Sequence, residues 1–218
     1  MTLRVLSPLE ARVLGVLVEK QHTVPDSYPL SLNALVMGCN QKTAREPVLN
    51  ASDDEVLATL DNLRALSLVF EGSSGRVPRF EHNVGRVLGV PSQSVALLAT
   101  LMLRGPQTSA ELRLHSERLH RFADISSVEA FLDELATKEP ARVVKLARAP
   151  GAREARWAHL LCGAVAQESF ASGAAEQGVS LSELGALKAE LNRQAADLER
   201  LNALVQHMAR ELGIGPQP

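Results

Sequence analysis

Two stretches of this chain carry the same order of hydrophobic and polar positions, 72 to 84 residues apart. Each opens with apolar residues at helical spacing, and these are Val13, Leu14, Leu17 and Val18 in the first stretch and Leu97, Leu98, Leu101 and Met102 in the second. Residues 56–63 return as residues 128–135, and residues 79–82 return as residues 156–159. Because each copy is long enough to close its own core, the pattern predicts a tandem repeat of one small domain.

Three helices are predicted in each copy, and most of their starts carry a capping signal. Hydroxyl residues that can act as N-caps lie at Ser7, Ser31 and Ser52 in the first copy, and at Thr108 and Ser126 in the second. At Ser7, Ser52 and Ser126 a glutamate follows three residues later, which completes a capping box. The third helix of each copy is therefore predicted to begin just after residues 52 and 126.

A hairpin is predicted after the third helix of each copy. Period-two patterning places its strands at residues 68–71 and 77–81 in the first copy, and at residues 143–146 and 155–157 in the second. Pro78 is expected to confine its strand to a sheet edge. Three helices followed by a hairpin is the order of a winged helix-turn-helix domain. The alternative is a pair of unrelated small α+β domains.

The C-terminal part of the chain has a different pattern. Residues 163–179 are rich in Ala, Gly, Ser and Gln and are predicted to form a linker. Heptad-like spacing then predicts a helix over residues 180–213, through Leu184, Leu187, Leu191, Gln194, Leu198, Leu201, Val205, Met208 and Leu212. This spacing favours a coiled coil, and hence a homodimer through residues 181–212, over a helix that folds back onto its own domains.

The predicted fold class is α+β and mainly helical. It comprises winged-helix domain 1 at residues 1–88, winged-helix domain 2 at residues 89–162, and the C-terminal coiled-coil helix. With 218 residues, 45% hydrophobic and 22% charged, the chain has the composition of an ordinary globular protein. No apolar run approaches the roughly 18 residues of a membrane span, so a cytoplasmic protein without a membrane segment is expected. Cys39 and Cys162 lack metal-ligand spacing and are expected to be buried thiols.

Three segments of the chain resemble a known family. Residues 9–13, 38–48 and 103–108 closely resemble the YceH-like family of uncharacterised bacterial proteins. The resemblance covers roughly residues 3–162. It implies a tandem winged-helix fold and no established activity, so no catalytic or binding residue is carried over from it.

Charge bears on whether nucleic acid is the partner. The net charge is −2, and acidic residues lie on the predicted third helices, where a DNA-reading domain presents Arg, Lys, Asn or Gln. Residues 91–160 have ten basic residues against eight acidic ones. The candidates for nucleic-acid contact, mostly around the two hairpins, are Arg76, Arg79, Arg113, Arg118, Arg121, Lys145, Arg148, Arg153 and Arg156. The alternative is that they are solvated loop charges.

A second candidate surface is the enlarged turn between the second and third helices of the first copy. A helix-turn-helix usually has a turn of about three or four residues at this place. The polar residues of the turn are Asn40, Gln41, Lys42, Thr43 and Arg45. They predict an interaction turn, although their side chains could instead satisfy local backbone groups.

The sequence contains no HExxH, GxGxxG, Walker or G-x-S-x-G motif, so no enzyme activity, catalytic residue, cofactor or metal is predicted. Two functions remain. The favoured one is an interaction module that binds protein partners through the acidic third helices and the enlarged turn. The alternative is a DNA-binding transcriptional regulator that contacts DNA through its basic wings.

Overall fold

The computed structural model describes residues 3–72, 77–148 and 153–165 and shows an α+β, mainly helical chain. The first half contains helices α1 (Pro8–Thr23), α2 (Leu32–Cys39) and α3 (Asp53–Ala65), a short 3-10 helix (Pro25–Ser27), and strands β1 (Leu30–Ser31), β2 (Val69–Gly72) and β3 (Arg79–His82). The predicted coiled-coil helix and all but the first three residues of the predicted linker lie outside the described residues.

The second half follows a short connecting helix, α4 (Val84–Leu88), which ends at Gly89 in the left-handed conformation with φ of 62°. Its elements are α5 (Ser92–Arg104), α6 (Ser109–His115), α7 (Ile125–Thr137), β4 (Val143–Lys145) and β5 (Trp157–His159). Each half therefore places three helices before an antiparallel hairpin, as the sequence pattern predicts.

Local capping explains where α1, α3 and α6 begin. The Ser7 hydroxyl accepts from the N–H of Glu10, and the Glu10 carboxylate accepts from the N–H of Ser7 at 2.7 Å. The same reciprocal box joins Ser52 to Glu55, and a further box starts α6. The capping boxes predicted at Ser7 and Ser52 are confirmed.

The capping box predicted at Ser126 is wrong by two residues. Asp124 is the N-cap of α7, and its carboxylate accepts from the N–H of Ser127 at 2.7 Å. The Ser127 hydroxyl in turn accepts from the N–H of Asp124. Both serine and aspartate make good N-caps, so the hydroxyl pattern alone did not fix the register.

The first-half sheet corrects the prediction made for Pro78. The strand order is β1-β3-β2, with Phe80 opposite Leu30 on one side and opposite Glu71 on the other. The second hairpin strand is therefore central and not at an edge. Pro78 precedes β3, so its missing N–H removes no bond from the ladder.

The repeat in sequence is also a repeat in burial. Six apolar side chains of the third helices are 0% exposed, and they are Val56, Leu60 and Leu63 on α3 and Val128, Leu132 and Leu135 on α7. Residues 72 positions apart therefore occupy corresponding core places. Both helices use the same i, i+4, i+7 stripe to face the core.

The two halves share a close helix contact. Helices α1 and α5 pack together, and a Cβ atom placed on Gly15 would lie 2.9 Å from Cδ2 of Leu103. The N–H of Glu46 donates to the Leu103 carbonyl at 2.7 Å, and the N–H of Leu6 donates to the Leu161 carbonyl at 2.8 Å. The described residues thus belong to one compact unit, Met1–Gln167. The domain boundary after residue 88 stays a prediction.

Candidate interaction site

The side chain of Asn40, in the enlarged turn, is hydrogen-bonded to the backbone. Its side-chain amide donates to the Ala51 carbonyl at 2.8 Å, and its side-chain oxygen accepts from the Ala51 N–H at 2.7 Å. These two bonds tie the end of α2 to the residue before the N-cap of α3. Asn40 therefore performs the local role that was the alternative to partner contact.

Arg45 lies inside the protein. Its side chain is 0% exposed, and Nη2 contacts Oε2 of Glu19 on α1 at 2.6 Å. Its Nε donates to the Gly38 carbonyl at 3.1 Å. Burial alone would raise the pKa of the Glu19 carboxyl, but the hydrogen bond and charge of Arg45 outweigh it and hold that pKa below its usual value. Arg45 joins the turn to α1 and is covered from a partner.

The outer part of the turn is open to a partner. Lys42 and Thr43 are exposed. Gln41 is half-buried, and its side-chain oxygen accepts from Nη2 of Arg45 at 3.1 Å while its amide donates to the Thr43 hydroxyl at 3.5 Å. Val48, farther along the turn, and Met37 on α2 are both well exposed. The predicted interaction turn is thus divided into an inward part that holds the fold and an outward part that is exposed to solvent.

Helix α3 presents an acidic surface with an apolar side chain within it. Asp53, Asp54, Glu55 and Asp61 are all exposed, while Leu57 is 43% exposed. Asp54, Leu57 and Asp61 follow one another at helical spacings of three and four, so they share a face. We call these three residues the α3 face.

The cation on α3 is engaged by neighbouring carboxylates. Arg64 Nη1 lies 3.2 Å from Oδ1 of Asp61 and 2.9 Å from Oε2 of Glu71 on β2. Helix α7 resembles α3 in charge, since Asp133 and Glu134 are exposed. Its Glu129 is half-buried and accepts from the Ser109 hydroxyl at 3.1 Å.

Two of the predicted nucleic-acid contacts serve the fold. Arg79 donates to the Pro29 carbonyl at 2.8 Å and to the Ser27 carbonyl at 3.3 Å, which fixes β3 to the segment before β1. Arg156 donates to the Pro106 carbonyl at 2.8 Å and pairs with the Glu111 carboxylate at 3.2 Å. Arg76 lies outside the described residues.

Three further arginines among the predicted nucleic-acid contacts lie near the connection between α6 and α7. Arg113 is exposed on α6 and donates to the Ala123 carbonyl at 3.2 Å, close to the start of α7. Arg118 and Arg121 are exposed in the connecting segment itself. The connection from Ser116 to Asp124 is also longer than a standard helix-turn-helix turn.

The remaining predicted cations meet at a cleft that the sequence did not reveal. An open cleft of about 460 Å³ lies between the β4–β5 hairpin and the starts of α6 and α7. It is lined by Ser109, Ile125, Glu129, Lys145, Arg148, Arg153, Glu154 and Ala155. Three candidate cations are thus brought together with two carboxylates and an exposed isoleucine. We call this the hairpin cleft.

Burial favours the neutral forms of a thiol and two imidazoles. Burial raises the pKa of the Cys39 thiol to about 12 and lowers the pKa of His82 and of His159 to about 4. Cys39 is buried as expected, whereas Cys162 is only half-buried. In the described part of the chain, no group of three His, Cys, Asp or Glu residues could hold a metal ion. No helix in that part is long and apolar enough to cross a bilayer.

These features define an α+β, helix-rich protein in which each half places three helices before a hairpin, and whose candidate sites lie on its surface. The chain belongs to the family described as "Protein of unknown function, DUF480", whose model matches residues 6–152. The resemblance to a family of uncharacterised bacterial proteins is confirmed at that level.

Relatives from Burkholderia species match nearly the whole chain. A UPF0502 protein of Burkholderia multivorans is 71% identical over 214 residues, which cover 97% of this chain and 91% of the relative. UPF0502 proteins of Burkholderia orbicola and Burkholderia thailandensis are 69% and 68% identical, with the same coverage of both chains. The similarity therefore extends beyond the residues matched by the family model.

Proposed function

We propose that this chain is a non-enzymatic, tandem winged-helix interaction module that binds a protein partner. The observation that carries the proposal is the α3 face, where Leu57 is exposed between Asp54 and Asp61. An apolar side chain rimmed by charge is a common form of protein-binding surface. The order of three helices and a hairpin in each half supports the winged-helix assignment.

Electrostatics oppose the usual DNA-binding use of α3. In a winged helix the third helix enters the major groove, where it lies between two rows of phosphates. The exposed carboxylates of α3 would be repelled there, and Arg64 is already paired with Asp61 and Glu71. A basic or amphipathic protein surface complements the α3 face better than a nucleic acid does.

We further propose that two chains associate through residues 181–212, which lie outside the described residues. The support is their heptad spacing, which is typical of a coiled coil. A cytoplasmic location is proposed with it, because Cys39 and Cys162 are both free thiols. A dimer would present two copies of the α3 face to a partner, which raises its effective affinity.

Reversing the charge of the α3 face should remove the partner. The wild-type chain should capture a partner protein from an extract of its own cells. We expect D54K/D61K to recover at least about tenfold less of that protein, because two attractive charges become repulsive. The measurement is quantitative mass spectrometry on matched captures. The control D26K/E81K makes the same charge change at exposed positions off α3. Equal recovery with all three chains would contradict the proposed function.

The alternative function is DNA binding, and the observation that favours it is the hairpin cleft, where Lys145, Arg148 and Arg153 meet. Fluorescence anisotropy with mixed-sequence duplex DNA across a salt series decides between the two. We expect no binding by the full-length protein even at low salt. Micromolar binding with a steep salt slope, weakened in R148A/R153A, would instead support the DNA-binding regulator.

A further inference from the structure

The hairpin cleft has the chemistry of a peptide-binding site. We propose that it binds an acidic segment of a protein partner, in which carboxylate side chains lie next to an apolar one. This inference rests on the proposed function and specifies the chemistry of a second segment of the partner, distinct from the basic or amphipathic surface that would face α3. It concerns a surface in the second half of the chain, separate in sequence from the α3 face.

The side chains of two of the three cations in the hairpin cleft, Lys145 and Arg148, make contacts within the protein. Nζ of Lys145 lies 5.3 Å from the centre of the Trp157 ring, a cation–π distance. Trp157 is itself buried, so its ring is a firm support. Nη1 of Arg148 donates to the carbonyl of Arg153 at 3.4 Å, across the loop that joins the strands. Side chains held in this way lose less entropy when a carboxylate binds.

The hairpin cleft also offers an apolar contact. Ile125, the first residue of α7, is 44% exposed and lines the cleft together with Ala155. A β-branched side chain left open at a helix start gains free energy when a partner covers it. A segment with carboxylates and one aliphatic side chain could satisfy the cations and Ile125 together.

Two carboxylates in the hairpin cleft distinguish a peptide from a nucleic acid. Glu129 is held by the Ser109 hydroxyl at 3.1 Å, and Glu154 is exposed beside Arg153. Both would repel any negative group, and a nucleic-acid strand carries a phosphate at every step. A peptide can place its carboxylates at the cations and its backbone N–H donors at Glu129 and Glu154. The mixed lining therefore favours a peptide.

The test uses fluorescein-labelled short peptides of alternating Glu and Leu, Gln and Leu, or Lys and Leu, titrated with full-length protein and followed by anisotropy. We expect the Glu-containing peptide to bind about tenfold more tightly than the Gln-containing one, and its binding to weaken as salt rises. K145A/R153A should weaken it by about tenfold, since two charge contacts are lost. I125S should weaken it without changing its salt dependence.

The control is R86A, which removes a cation at an exposed position on α4, outside the hairpin cleft, the α3 face and the interaction turn. We expect it to stay within roughly twofold of wild type. Equal affinity for the Glu and Gln peptides, or unchanged binding by K145A/R153A, would overturn the proposal. So would duplex DNA that displaces the peptide and is itself lost in K145A/R153A, because the hairpin cleft would then be a nucleic-acid site.

Failure of this inference can be told apart from failure of the proposed function. D54K/D61K leaves every residue of the hairpin cleft intact, so capture by the α3 face is measured independently. Suppose that capture of a partner depends on the α3 face but the Glu-containing peptide does not bind. That result would contradict the peptide site in the hairpin cleft and would still support the interaction module.

Discussion

Replacing Arg45 with leucine should lower the free energy of unfolding by about 3 kcal/mol at neutral pH, because the partly buried Glu19 carboxylate then keeps only Lys20, at 3.2 Å, as a charged partner. Arg45 contacts Glu19 at 2.6 Å, and its side chain is 0% exposed. Its bond to the Gly38 carbonyl is lost as well. Urea denaturation of the full-length protein measures the change.

The effect of the Arg45 substitution should depend on pH in a defined direction. In the wild type the folded-state pKa of Glu19 is below its usual value. The pair therefore stabilises the fold fully when the pH is above the usual pKa of a glutamate. This contribution is lost as the pH falls through the folded-state pKa. Without Arg45, the larger of the two cationic influences that lower the pKa of Glu19 is lost while the burial that raises it remains, so the pKa of Glu19 should lie higher in the variant than in the wild type. The gap between variant and wild type should therefore shrink as the pH falls toward about 4.

A matched substitution separates this effect from general damage to the turn. Lys42 is exposed in the same turn, and K42L should change stability by no more than about 0.5 kcal/mol. If R45L were as mild as K42L, or if its penalty were the same at acidic and neutral pH, the structural role assigned to Arg45 would be refuted.

Removing a core leucine from either third helix should cost about 3 kcal/mol, and the two helices should be equivalent. Leu60 and Leu132 occupy corresponding places, and both are 0% exposed. Because α1 and α5 pack together, we expect L60A and L132A each to shift one cooperative thermal transition of the unit, by roughly 10 °C. Calorimetry and urea denaturation of the full-length chain provide the measurement.

The control for this pair is L57A on the α3 face, which removes the same atoms from an exposed position. It should change stability by about 0.5 kcal/mol or less. Two separate transitions, of which each variant shifts only one, would show that the halves unfold independently. That outcome would contradict the shared core.

Helices could be predicted from the sequence because their signals are local. A capping box involves residues three apart, so Ser7 and Ser52 could be recognised without knowing the fold. Strand order depends on distant pairing. The two-residue strand β1 exists because Leu30 and Ser31 lie against β3, and no local pattern announces such a pairing. The same pairing makes β3 the central strand, which is why the edge position predicted from Pro78 is wrong.

The candidate site was predictable as a set of charges but not as a surface. Which arginines are available depends on carbonyl groups far along the chain, as with Arg79 and the Pro29 carbonyl, 50 residues apart. Arg156 and the Pro106 carbonyl are separated by the same distance in sequence. Asn40 and Arg45 look like partner contacts by residue type, yet backbone groups and Glu19 engage them. Predicting the hairpin cleft would have required knowing where α6, α7 and both strands of the second hairpin lie relative to one another.

The contact between Gly15 and Leu103 links the choice of residue in one half of the chain to the choice in the other. A Cβ atom at position 15 would lie 2.9 Å from Cγ and Cδ2 of Leu103, so a larger residue at position 15 requires the Leu103 side chain to shift or to be replaced by a smaller one. The residues that fit at these two positions, one in each half of the chain, therefore depend on each other.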